Sequence, residues 1–205
     1  MAGRGMCVPL LGPDGAGKTT LAQSLGDEFP VEVRYLYSGL FQRRAMAPWR
    51  RWLPEMKRVS RLCRIVRIGI GARWHRGRGR LVILDRSPHE LRMRGDGRGL
   101  KARATALAIR VLMPTPDLVI LLDAPAEVLY ARKGEHTIAI LDQLRRSYLS
   151  LVEQFPEHVV IDARGDAATV RRTAAEAIRR RSAEMCEGST ASGRSHAPAA
   201  TGSPT

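Results

Sequence analysis

The stretch GPDGAGKTT, Gly12 to Thr20, decides the fold. It fits the pattern G-x-x-x-x-G-K-[ST], with Gly12, Gly17, Lys18 and Thr19 at the fixed positions. Before it, CVPLL (Cys7 to Leu11) is a short apolar run that reads as a buried strand. After it, TLAQSLGDEF reads as a helix with Leu21 and Leu25 on one face. Strand, glycine loop and helix, in that order, are the context this pattern requires. The backbone N–H groups of such a loop turn inward and hold the phosphates of a nucleoside triphosphate, and the helix behind adds the positive end of its dipole. The expected cradle is Gly12, Pro13, Asp14, Gly15, Ala16, Gly17, Lys18, Thr19 and Thr20. Lys18 is expected to reach the β- and γ-phosphates of ATP, and Thr19 to hold Mg²⁺ through its hydroxyl.

Working outward, four more strands are expected: Val31 to Tyr37, Arg80 to Arg86, Leu118 to Leu122 and His158 to Arg164. Helices fall between them. Leu53 to Ile70 repeats apolar residues at helical spacing (Leu53, Met56, Val59, Leu62, Cys63, Val66, Ile70), with arginines on the other face. Ala102 to Met113, Ala126 to Arg132 and Ile138 to Phe155 are further helices, and Asp166 caps a last one running to about Arg181. Strands alternating with helices predict a parallel sheet covered on both faces. The small, polar segment from Ser182 to Thr205 is expected to be a disordered tail, leaving residues 1–181 as one domain.

The chain has 205 residues and a net charge of +14. Between Arg34 and Arg110, 21 Lys/Arg face four acids, a net of +17 that exceeds the whole excess. Nucleic acid, an anionic membrane surface and polyanionic substrates are all partners for such a region, and a solvated helix face is the plain alternative. The basic helix 53–70 reads as packed on the domain, with peripheral membrane contact as the other option. Aromatics make up only 5% of residues, which argues against single-stranded nucleic acid. Cys7, Cys63 and Cys186 are far apart, which fits neither a zinc site nor a disulfide framework and suits a reducing cytoplasm. No leader pattern precedes the loop, and no apolar run approaches bilayer-spanning length.

Ligands of such sheets bind beyond the carboxyl ends of the strands. A metal-bound triphosphate needs a carboxylate there, and Asp85 and Asp123 are the two candidates. Asp85 is preferred as the second metal residue because Arg86 beside it offers a fork for another phosphate. Asp123 reads equally well as a turn or cap residue. Asp14 within the glycine loop is electrostatically costly unless it meets the metal or an acceptor hydroxyl, though it also suits an Asx turn. Arg132 and Lys133 lie where a closing lid would bring cations over the transferring phosphoryl group. Glu135 fits either a sugar hydroxyl or a neighbouring cation, and a solvated face is the default for Arg145 and Arg146.

GPDGAGKTT, LVILDRS, PDLVILLDAPAEVLYARKGE and LRRSYLSL together resemble the thymidylate kinase family of P-loop nucleotide kinases, over roughly residues 6 to 181. The resemblance implies a three-layer α/β/α P-loop NTPase fold with a five-stranded parallel sheet. It implies ATP and Mg²⁺ at Lys18 and Thr19, and Asp14 near the acceptor sugar or the metal. Asp85 and Arg86 match the family's D-R pair, with Arg86 on the acceptor phosphate, and Arg132 matches the start of the lid. Many members are homodimers. The family's E-P-G-type acceptor motif is missing from YSGLFQRRAMAPW, Ser87 stands where an aromatic usually follows D-R, and PHELRMRGDGRG differs from the thymine-contacting helix. The expected function is therefore ATP-dependent phosphoryl transfer to a nucleoside monophosphate, dTMP first. A sugar or other specialised acceptor, or a nucleotide-binding regulator without turnover, are the alternatives.

Overall fold

A computed structural model of the chain describes residues 5–37, 54–85, 87–88, 90, 103, 107, 109–134 and 136–193. Its sheet is built from β1 (Met6–Leu11), β2 (Val33–Tyr37), β3 (Leu81–Asp85), β4 (Val119–Asp123) and β5 (His158–Asp162). The order is β2-β3-β1-β4-β5, and every neighbouring pair is parallel. The helices are α1 (Lys18–Ser24), α2 (Pro54–Gly77), α3 (Ala126–Lys133), α4 (Ile138–Val152) and α5 (Ala167–Gly193), with a 3₁₀ turn at Gly26–Glu28. Residues 103, 107 and 109–112 are also helical. The five expected strands are all present, with ends shifted by a residue or two.

β1, β3 and β4 read as unbroken apolar runs because both of their faces are covered. Alternate residues serve opposite layers. Val8, Leu10, Ile83, Ile120 and Leu122 pack with Leu21 and Leu25 of the α1 segment and with Ala174 and Ile178 of α5. Cys7, Val82 and Leu84 pack with Ile68 and Ala72 of α2 and with Ile109. Leu11, Val119 and Leu121 pack with Tyr148, Leu151 and Val152 of α4. β5 is an edge strand and buries only Ile161 fully.

Two helices differ from expectation. α2 runs seven residues past Ile70, and it buries a different face. Ile65, Ile68 and Ala72 turn inward, whereas Cys63 and Ile70 are exposed. RIVRIGIGARW carries apolar residues on two faces, so spacing alone does not choose between them. Gly69 does: a Cβ there would sit 2.3 Å from the Leu112 carbonyl oxygen, so only this face lets α2 close on the helical residues 109–112. Arg73 reinforces the contact by donating to the carbonyls of Val111 and Leu112. α5 continues to Gly193, beyond the expected end at about Arg181, so residues 182–193 are helical rather than part of a disordered tail. Met185 packs on the main core and Glu184 pairs with Arg180 and Arg181, which carries the helix onward. Residues 194–205 lie outside the described residues.

Candidate active site

The chain leaves β1 for β2 on one side of it and leaves β3 for β4 on the other side, so the connections part between β1 and β3, and the carboxyl ends of these two strands form the switch point where ligands bind in such sheets. The glycine loop occupies this position. Gly12 has φ 141°, and a Cβ there would lie 2.6 Å from the Leu122 carbonyl oxygen. No larger residue fits, so the loop lies tight across the end of β4. Gly15, at φ 90°, rests on α3, its virtual Cβ 3.2 Å from the Leu129 carbonyl oxygen. Gly17, also at φ 90°, is the left-handed N-cap of α1; it faces open space, and no side chain caps the helix. The first turn of α1 therefore presents its N–H groups to the mouth of the loop, as an anion site requires.

Lys18 is nearly buried. Its Nζ donates to the carbonyls of Gly12, at 2.5 Å, and Pro13, at 2.7 Å. The ammonium is thus held within the cradle by the loop's own backbone. Thr19 is exposed, and its Oγ1 donates to Asp85 Oδ2 at 2.8 Å. Asp85 ends β3, opposite Leu10 of β1, one residue before β1 gives way to the loop. It is 1% exposed. A second hydroxyl, Tyr35 Oη of β2, donates to the same Oδ2 at 2.6 Å. Among the described residues, Asp85 Oδ1 is buried with no hydrogen-bond partner. A buried carboxylate oxygen left over beside a threonine hydroxyl fits a hard cation, which takes oxygen ligands. Among the described residues no three His, Cys, Asp or Glu side chains cluster as a metal site, so a cation here would take this Thr–Asp pair from the protein and its other oxygens from phosphate and water.

The loop also meets the carboxyl-terminal end of α3. Arg132 and Lys133 occupy its last turn, their Cβ atoms 3.8 and 3.6 Å from the virtual Cβ of Gly15, and both are exposed. Asp14 is half-buried at the turn of the loop. Arg86 and Glu135 lie outside the described residues, as do 38–53 and 91–102.

Asp123 is not available for a metal. It accepts both arms of Arg145, Nε to Oδ1 at 2.7 Å and Nη2 to Oδ2 at 2.8 Å. These bonds hold the guanidinium pKa above its ordinary value. Arg145 is thus a tie between β4 and α4 rather than part of a solvated face. Three partnerships were not visible in the sequence. Tyr35 and Arg145 find their carboxylates 50 and 22 positions away. Glu90, buried in the loop after β3, accepts from Tyr148 Oη of α4 at 3.1 Å, 58 positions away. Only register and packing bring such pairs together.

The chain is 32% identical over 189 residues to the thymidylate kinase of Xanthomonas campestris pv. campestris (strain B100), covering 83% of this chain and 81% of that protein. The chain belongs to the thymidylate kinase family. The thymidylate kinase of Xylella fastidiosa (strain M12) is 30% identical over 185 residues, 81% of this chain and 83% of that protein. No family model matches. Membership makes the chain an ATP-dependent nucleotide kinase. No described helix is long and apolar enough to cross a membrane.

Proposed function

We propose that the chain transfers the γ-phosphoryl of ATP to dTMP, giving ADP and dTDP, in the cytoplasm. The observation that carries this reading is the Thr19–Asp85 hydrogen bond across the mouth of an intact glycine loop, in a chain about a third identical to thymidylate kinases. The loop from Gly12 to Thr20 holds the phosphates of ATP through its backbone. Lys18 leaves its carbonyl partners for the β- and γ-phosphates, and Arg132 closes over them from α3. Thr19 and Asp85 would hold Mg²⁺, which when bound neutralises charge between the β- and γ-phosphoryl oxygens. Arg86 takes the acceptor phosphate and Asp14 the acceptor sugar or the metal. The chain's contribution is positioning and charge stabilisation, with no covalent intermediate on the protein. Residues 1–181 form the catalytic unit, and 182–205 take no part in the chemistry.

Two copies associate through α2. Ile70 and Trp74 of α2, with Leu107 and Val111 of the adjoining helical stretch, are all more than half exposed, and an isologous contact would cover them.

The reading is tested by following dTDP from dTMP and Mg-ATP by chromatography, with Lys18→Ala as control. Removing one such cation is expected to lower kcat by about 10²–10³-fold. Full turnover in Lys18→Ala would remove the site assignment.

A further inference from the structure

We propose that Tyr35 is a positioning residue for the metal-binding hydroxyl of Thr19, acting through Asp85; this rests on the kinase reading above. A threonine hydroxyl has one proton and two lone pairs. Thr19 gives its proton to Asp85 Oδ2, which leaves the lone pairs for a cation at the exposed mouth of the loop. That orientation lasts only while Oδ2 stays in place. A carboxylate on a single Cβ is free to rotate about its last torsion, where preferences are broad. Tyr35 Oη, 2.6 Å from the same Oδ2, is a second donor that resists the rotation. Sheet register sets up the contact: Tyr35 pairs with Ile83, and Asp85 is two residues further along β3 on the same face. The phenol itself needs to touch neither nucleotide nor metal, so its effect passes through the carboxylate, as second-layer partners of metal sites do.

The test is calorimetric titration of full-length protein with an ATP analogue whose γ-phosphoryl cannot be transferred, across a series of Mg²⁺ concentrations. Wild type, Tyr35→Phe, Asp85→Asn and the double variant are compared. Tyr35→Phe is expected to raise the Mg²⁺ concentration at half effect by about 10-fold, while metal-free nucleotide affinity and the unliganded melting temperature stay as in wild type. In the Asp85→Asn background the same change is expected to do nothing further, because the route runs through that carboxylate. An equal shift in both backgrounds would make Tyr35 a packing residue and overturn the proposal. No shift in Tyr35→Phe, in an enzyme that still phosphorylates dTMP, would overturn the proposal and leave the kinase reading intact. Nucleotide binding indifferent to Mg²⁺ in wild type would overturn both.

Discussion

Cys7 has no exposed surface, and its backbone is locked to Asp117: its N–H donates to Asp117 Oδ2 at 2.8 Å and its carbonyl accepts from the Asp117 N–H at 3.0 Å. Arg76 closes the other side of Asp117. Burial, and then the Asp117 charge, push the Cys7 thiol up to about 12. The native state therefore keeps this proton above pH 9.0, the ordinary value, where the unfolded chain loses it. Stability from this group is complete below pH 9.0 and declines as pH rises toward 12, by up to about 1.4 kcal/mol per pH unit. Cys7→Ala should flatten that part of the alkaline stability curve, measured by urea unfolding; an unchanged slope would contradict the burial. At this scale the sequence shows types but not partners. Lys18 and Thr19 are legible because the glycine loop fixes their surroundings within a few residues. Tyr35 looks like any strand tyrosine until β2 is laid beside β3, and Asp123 looks like a metal carboxylate until α4 brings Arg145 to it.

Among elements, α4 is fastened to the sheet by the Arg145–Asp123 fork, with Tyr148 and Glu90 a second tie to the loop after β3. The fork is about one-third exposed on the arginine side, so solvent weakens it. Arg145→Met is expected to cost about 1–2 kcal/mol by denaturant unfolding, above an isolated surface pair because both arms of the fork are lost. A change within about 0.5 kcal/mol would place Arg145 among ordinary surface residues. The strands were readable almost to the residue, since a central parallel strand must be apolar on both faces. Helix ends and faces were not. α2 offers two apolar stripes, and a backbone approach at Gly69 selects between them. α5 outruns its polar composition because Met185 reaches the core.

For the molecule as a whole, the exposed apolar residues of α2 sit within the most basic part of the sequence, which tempers any self-association by repulsion at low salt. Analytical ultracentrifugation at physiological salt should give twice the chain mass for wild type and a monomer for Ile70→Glu; a wild-type monomer at tens of micromolar would set the pairing aside. The three-layer plan and the switch-point site follow from the order of strands, loop and helices, so they were legible from the first twenty residues outward. The acceptor side was not: the departures at 37–49, Ser87 and 88–99 give no motif to read, and most of those residues lie outside the described ones. The central claim therefore turns on the acceptor. The most direct measurement is kcat/KM for ADP formation from Mg-ATP with dTMP, set against every other nucleoside monophosphate, free nucleosides and common sugar phosphates. The account predicts that dTMP exceeds each of them by about 10²-fold or more. ADP formed with a sugar phosphate or another nucleotide, and none with dTMP, would contradict it.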